Sequence, residues 1–561
     1  MRSLGRHLFS FIIVSTILVR KMSIADLVDR FKKLGRPGLT RDYLKKLTVY
    51  HRIHGSIGLI EALKTVKEIV DEFGLETRMI KVPADSERGF MESPLSWDAK
   101  NGFLEFKRGS TLLAKYDYND HPTLIAAHSP RGEGCGTLKL CVTLDKCEGE
   151  SVLVEAPAYI AYKELDADLL VLYDNKRYPE AVPYTGLFLR SNEVKKKPAV
   201  FNIPASTATK LISQIQKGVE IEVCWSSSAD YVERPHYMLL AHRGNSQGVL
   251  YISHICHPKP GGHDNASGSV ANILVAHILS QIREISHIHA WVPEYTGTIF
   301  LREHLPAEPI GVINLDMVGS KQWVTDSTLN IVIPPLFIDQ KISAYTFLAS
   351  KTILDEASSF GGFKLPRYRY SLSPYSAGSD HDVTIGWGLD SVMLNEWPSK
   401  YYHTDMDEID TISPTSLTNI AIITSLAGVL THKLYKEETV LEAFNNYLKS
   451  WYAIEALKNG VDVSILSKIL EKRLSPCSIN RLITPLTLKI LYKKFGREMY
   501  MKIRELRGAY SFFTLYAPLA YINNIQDPIT IFQAENLLAW SVEERKFIEE
   551  VWGKIREEVL K

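Results

Sequence analysis

From Tyr237 to about Lys436 the sequence alternates short runs rich in Val, Ile and Leu with longer segments whose apolar positions recur at helical spacing. "GVLYISHI", "HIHAWVPE", "PIGVINLDMVG" and "DSVMLNEW" read as strands. "GSVANILVAHILSQI" and "PTSLTNIAIITSLAGVLTHKLY" read as helices. Alternation of this kind predicts an α/β fold, with a mostly parallel central sheet flanked by helices. Ligands of such sheets bind at the carboxyl ends of the strands, so the residues just after each run are the ones to inspect.

The chain has 561 residues, too many for one hydrophobic core. At roughly 100–200 residues per domain it should divide into three or four units. Before the alternating region, Leu59, Leu63, Val66 and Val70 fall on one helical face that follows the turn "HRIHGSIG", with Gly74 as its C-cap. The texture from about Thr77 to Ala156 is β-like, with "GFLEFKRG" and "TLIAAHS" read as strands. "DADLLVLYDN", "PAVFNIPAS" and "VEIEVCWSS" add strands and "TATKLISQIQKG" adds a helix, which together make a compact α/β module. Beyond Lys436 the pattern is helical, as in "LEAFNNYLKSWYAIEAL" and "SVEERKFIEEVWGKIREEVL".

A formal net charge of +1 gives no global pull toward nucleic acid or an anionic membrane. The six cysteines, Cys135, Cys141, Cys147, Cys224, Cys256 and Cys477, are too sparse for a disulfide scaffold or a tight structural zinc site. They read as buried free thiols, with a Cys141–Cys147 pair as the alternative in an extracellular setting. The apolar run Leu8–Val19 is short for a membrane span of about 20 residues, and no small-residue cleavage site follows it. The helical start "MSIADLVDRFKKLG" favours translation from Met22 and a cytoplasmic location; a signal or anchor is the alternative. No stable membrane span is expected, and the sequence does not fix whether the chain is a homo-oligomer.

The strand ends give a consistent answer. His254, His257, His263 and Asp264 follow the first run, Glu294 the second, Asp316 ends the third, and His403 follows the fourth. Any one of these is ordinarily a turn or capping residue, and Asp264 in "DNASG" also fits a helix N-cap. Independent turn residues would more often be Asn, Ser or Gly than an ordered His/Asp/Glu/Asp/His series. Imidazoles and carboxylates converging on one sheet edge are the ligand set of zinc held by N and O atoms.

The order of these residues resembles the zinc aminopeptidase family that also contains the glutamate carboxypeptidases and glutaminyl cyclases. "HRIHGSIG", "HDNASGSVANILVAHIL", "VINLDMVG", "SAGSDHDVTIGWGLDSVML" and "YYHTDMDEID" carry the resemblance over about residues 40–75 and 227–435. "ICHPKPGGHDNASG" with "VPEYTG" is closer to an uncharacterised aminopeptidase-like branch with a Cys-His-Pro turn and a single Glu. The resemblance implies a zinc-peptidase type of fold. A catalytic domain at 38–75 and 227–435 would follow an N-terminal segment at 1–37. A β-rich, protease-associated-like module at 76–226 would be inserted in it, and a helical domain at 436–561 would close the chain.

By the same resemblance Asp264 bridges two zinc ions, Asp316 binds one and His403 the other. The broad family places the first imidazole at His254 and the narrower branch at His257; the expectation is His257, with His254 the alternative. Glu294 stands at the general-base position, where it would take a proton from water and pass it to the leaving amine. Tyr295 stands where the family has a second, metal-binding Glu, which leaves open one zinc or two, or a ligand role for Glu294. Asp380, His381 and Tyr402 are expected to orient ligands or substrate; capping the next segment is the alternative for Asp380 and His381.

The function implied is a zinc-dependent exopeptidase acting on peptide or amide bonds. One rival is a hydrolase of non-peptidic amides on the same scaffold. Another is a metal-depleted binding module. A third reads the helical tail as a winged-helix nucleic-acid binder on the strength of the basic string "KILYKKFGREMYMKIRELRG", although basic helical faces are usually solvated surface and the nucleic-acid signal is weak.

Overall fold

A computed structural model of the chain describes residues 23–434, 436–471, 483–523 and 525–560. The apolar run Leu8–Val19 and Cys477 therefore lie outside the described residues. Ser23 caps the helix Ile24–Leu34 by accepting from the Asp26 N–H, while Asp26 bonds back to the Ser23 N–H. The expected amphipathic start after Met22 takes this form, with Leu27, Val28 and Phe31 buried.

The central sheet has eight strands in the spatial order Glu76–Val82, His236–Arg243, His287–Val292, Val249–His254, Gly311–Asp316, Ser391–Trp397, Thr328–Val332 and Tyr370–Ser373. The four strands at its middle form three parallel pairs: His287–Val292 with Val249–His254, Val249–His254 with Gly311–Asp316, and Gly311–Asp316 with Ser391–Trp397. Antiparallel pairs join Glu76–Val82 to His236–Arg243, His236–Arg243 to His287–Val292, and Thr328–Val332 to Ser391–Trp397. The four central strands, read as near-continuous apolar runs, are buried on both faces. One face is covered by Ile57–Asp71, Gly268–Ser280, Lys341–Leu354 and Pro414–Leu434, which share one core with it.

One boundary and one strand differ from the sequence reading. Glu76–Val82 belongs to the central sheet and not to the inserted module, so the insertion starts later than 76. Within the module, "TLIAAHS" makes only single bridges, Ile125 to Phe201 and Ala127 to Gly186, and His128 has a positive φ of 64°. That left-handed residue turns the chain before a ladder can form. The module has its own seven-stranded sheet, which includes Ser96–Arg108, Leu169–Leu172, Ala199–Asn202 and Glu222–Val232.

The reading of the cysteines as free thiols is corrected for four of them. Cys135 and Cys224 lie opposite each other on paired antiparallel strands and form a disulfide; Cys141 and Cys147 form a second. The spacing of 89 residues between the first two gave no hint of pairing, because the contact depends on strand register. Cys256 is free and buried.

All elements of the C-terminal segment among its described residues are helices, with Thr439–Asn459, Ser464–Glu471, Leu488–Glu505, Pro528–Glu535 and Val542–Leu560 as the longer ones. No strand, and so no wing of a winged helix, occurs there among the described residues. The basic string is also committed elsewhere. Lys489 pairs with Glu193 at 2.7 Å, Lys493 with Glu92 at 2.5 Å and Arg497 with Glu164 at 2.5 Å. Those charges dock the helix on the inserted module and its flanking hairpin instead of leaving a cationic face for phosphate.

Candidate metal centre

The turn before Ile57–Asp71 builds one wall of the site. Gly55 has a positive φ of 69°, and a Cβ there would lie 2.1 Å from Ser96 Oγ, so the turn admits only glycine. Arg52 is fully buried in this turn. It exchanges both backbone hydrogen bonds with His257, at 2.9 Å each, and its guanidinium donates to the carbonyls of Ile255, Pro260 and Gly261. Burial brings its ionisation down to about 10, still far above neutrality. The cation therefore clamps the loop that carries His254 and His257.

Asn265 holds the opposite wall. Its amide donates to the carbonyls of His254 and Leu315 and accepts from the N–H groups of Gly268 and Met317. Two strand ends and the start of the helix Gly268–Ser280 thus meet on one side chain. The Asp407 carboxylate accepts from the N–H groups of His263 and Asp264 at 2.9 and 2.8 Å, which fixes where Asp264 points.

Two donor groups share Asp264. In one, Asp264 Oδ2 lies 3.2 Å from Nε2 of both His257 and His403. In the other, His254 Nε2 lies 3.3 Å from Asp264 Oδ1 and 3.4 Å from Asp316 Oδ1. The sequence reading set His254 against His257 for a single place; the fold brings both in, one to each group. Glu294 belongs to neither group. Tyr295, at the position of the family's second Glu, turns away and donates its hydroxyl to Asp382 at 2.7 Å. His257 supplies the third donor in the group that contains His403.

These donors fit divalent cations. Nδ1 of His254 lies 3.1 Å from the Cys256 carbonyl oxygen, and Nδ1 of His257 lies 3.1 Å from that of Pro258. Each Nδ1 is thus placed to donate, and in the tautomer that carries its proton there the Nε2 lone pair faces a carboxylate. His257 Nε2 is buried and makes no well-formed hydrogen bond. Lone pairs facing carboxylates across about 3 Å call for a cation between them, and imidazole with carboxylate is a donor set that suits zinc.

Ionisation follows the same charges. Burial alone would push Asp264 up, but the imidazoles of His257, His254 and His403 outweigh it and hold the carboxyl well below the ordinary range. Burial lowers His403 to about 4. Glu294 goes the other way: burial raises it well above the usual carboxylate range, opposed by His254 and reinforced by Asp316 and Asp380. Its backbone N–H donates to Cys256 Sγ at 3.1 Å, and its carbonyl lies 3.4 Å from His54 Nε2.

Asp380 does not cap the helix His381–Gly386. It accepts from the Tyr295 N–H at 2.7 Å and the Thr298 hydroxyl at 2.6 Å, and so holds the loop bearing Glu294. His381 is buried and points Nε2 to the Ser376 carbonyl, away from both donor groups. Tyr402 stacks on His403 at 3.8 Å between ring centroids. His263 faces Ser399 and takes no part.

The inserted module reaches the site through Tyr184, which the sequence did not single out. Pro183 bridges to Thr404, and the Tyr184 ring lies 5.0 Å from the imidazoles of His257 and His403. Beside the donor groups opens a cavity of about 950 Å³, lined by His254, Asp264, Glu294, Asp316 and His403 and, from the helical tail, Arg507 and Tyr510.

Residues 237–427, which contain both donor groups and Glu294, match the sequence model of Peptidase family M28. This segment is a peptidase family M28 domain. The match supports a peptidase for this segment and leaves the helical tail and the inserted module outside it. The solved Peptidase M28 precursor from Shewanella amazonensis is similar in fold, with a TM-score of 0.54 at 13% identity over 73% of this chain and 96% of that one. BSAP, a zinc aminopeptidase from Bacillus subtilis, gives a TM-score of 0.50 at 17% identity over 71% of this chain and 95% of that one. No curated protein matches the chain.

Proposed function

We propose that the chain is a two-metal, zinc-dependent exopeptidase that removes residues from the amino end of peptides. The observation that carries this reading is the sharing of Asp264 between two groups of three donors. Its two oxygens face different imidazoles, as a carboxylate bridging two cations must. BSAP, described as a zinc aminopeptidase, supports the choice of metal.

His257, Asp264 and His403 would hold one ion, and His254, Asp264 and Asp316 the other. Bound divalent cations supply Lewis acidity to the scissile carbonyl and to water. Everything else is done by side chains. Glu294, next to both groups but part of neither, takes the proton from the attacking water and returns it to the leaving amine. Asp380 keeps the Glu294 loop in place through Tyr295 and Thr298. Backbone carbonyls hold Nδ1 of His254 and of His257, which keeps each Nε2 turned toward the carboxylates. Tyr402 fixes the plane of the His403 ring.

The test is metal removal and return. The full-length protein stripped with a chelator should lose release of amino acids from a peptide library and regain it as zinc is added, up to about two equivalents. Release that survives complete stripping, or none with zinc, manganese or cobalt restored, would overturn the reading.

A further inference from the structure

The helical tail lies outside the peptidase domain, yet it forms part of the cavity wall. The short helix Ala509–Ser511 sits against the loop of Ser376 to Asp382, where the Ser511 hydroxyl accepts from the Ala377 N–H at 3.0 Å. Arg507 and Tyr510 flank that contact and face the same cavity as Glu294 and His403. Arg507 is the one Lys or Arg among the residues lining it.

Arg507 also differs from every other basic residue of its stretch. Lys489, Lys493, Lys494, Arg497 and Lys502 all have acidic partners. Arg504 lies over the Tyr500 ring at 5.8 Å. The Arg507 guanidinium has no acid, carbonyl or ring against it among the described residues. Its backbone, in contrast, is fixed. The carbonyl accepts from Trp540 Nε1 at 2.9 Å. The next residue, Gly508, has φ 80°, a left-handed conformation that favours glycine. A hydrogen-bonded backbone thus carries an exposed, unpaired planar fork of donors at the wall of the cleft. A guanidinium fork matches a carboxylate in geometry and charge.

We propose that Arg507 is the carboxylate anchor of the substrate site, so that the preferred substrates are short peptides whose carboxylate reaches it while the amino-terminal bond lies at the metal centre. This rests on the peptidase reading above and adds the substrate class. The cavity of about 950 Å³ has the size of a small-molecule site and is closed on one side by the helical tail, which suits a short peptide better than an extended chain. The carboxylate has two sources, the carboxyl terminus of a dipeptide or the side chain of Asp or Glu in the residue after the cut.

Three substrate sets separate these: a dipeptide library with free carboxyl ends, the same library as amides, and amides carrying Asp or Glu at the second position. The zinc-loaded full-length protein should favour carboxylate-bearing substrates over neutral amides by about ten- to a hundredfold in kcat/KM, the range of a charge-assisted bond. A preference for free acids names the carboxyl terminus; a preference for the Asp and Glu amides names the side chain. Arg507→Met should collapse the ratio of acid to amide mainly through KM, and Arg507→Lys should restore part of it. Equal rates on acids and amides by the unaltered protein overturn the inference and leave the peptidase reading standing, as does a ratio unchanged in Arg507→Met. Release from none of the sets, with zinc present, removes the peptidase reading and the anchor with it.

Discussion

Tyr184 of the inserted module donates its backbone N–H to the carbonyl oxygen of His403 at 2.7 Å. Beside this bond, Asp405 accepts from the Val182 N–H at 2.9 Å and lies 2.6 Å from His121 Nδ1. The module is therefore stitched to the loop that carries a metal donor, and the orientation of His403 depends on both partners.

Asp405→Ala should loosen that seam without removing a donor. Zinc affinity should fall by about 10- to 100-fold, as when groups that orient ligands are lost. Hydrogen exchange at Tyr184 should speed up in the same variant. Unchanged affinity with unchanged exchange would mean that the seam does not position His403.

The two donor groups predict a stoichiometric signature. His257→Ala leaves its group with Asp264 and His403 alone, so bound zinc should drop from about two equivalents to about one. His254→Ala should do the same to the other group, and Asp264→Ala should empty both. Elemental analysis after gel filtration reads all three. Full loading of His257→Ala would mean that His257 is not a donor.

How far the sequence exposes this site follows from what each residue depends on. His254, Asp264, Asp316 and His403 stand at strand ends, and strand ends are legible from apolar runs. The choice between His254 and His257 was posed as exclusive because spacing along one loop cannot show that Arg52, some 200 residues earlier, pairs with that loop and turns both rings inward. Tyr295 was read as a missing ligand; its replacement by His257 needs the fold. Asp407 hides in the acidic run "DMDE", which looks like solvated surface. Arg507 hides in a basic string whose other members are engaged in ion pairs or, for Arg504, lie over a ring. The helix Lys341–Leu354, the strand Thr328–Val332 and the edge strand Tyr370–Ser373 carry patterns too weak to read from the sequence.

Acid should weaken the docking of the helical tail. Burial pushes the Glu193 carboxyl up, but Lys489 and the Tyr159 hydroxyl outweigh it and bring it to about 2, from an ordinary 4.5. The folded value lies below the unfolded one, so its contribution is full above pH 4.5 and is lost as pH falls toward 2. Glu193→Gln should cost about 1–3 kcal/mol near pH 7, because it leaves Lys489 short of a charged acceptor. Thermal melts from pH 7 to 3 should show that difference narrowing below pH 4.5. A constant difference would exclude the charge as its source.

The two disulfides predict a thiol count. The chain has six cysteines, and four are paired, so unfolded, unreduced protein should titrate no more than two thiols. Reduction should lower the stability of the inserted module by roughly 2–5 kcal/mol. Six reactive thiols in protein purified under thiol trapping would mean that the pairs do not form where the protein resides, as in a reducing cytoplasm.

Glu294 separates the chemical step from metal binding. It sits beside both donor groups without belonging to either. Its backbone is held by Cys256 and its loop by Asp380. Glu294→Gln keeps the size and the hydrogen bonds of the side chain and removes the capacity to take a proton. Turnover should fall by about 100- to 10,000-fold, the usual worth of acid–base assistance. Zinc content should stay at the unaltered level, because His254, His257, Asp264, Asp316 and His403 are all present. Both quantities come from one preparation of the variant. Loss of zinc together with activity would make Glu294 a ligand and Asp264 a bridge within a larger donor set. Full turnover with full zinc would leave the attacking water without this base and defeat the proposed mechanism.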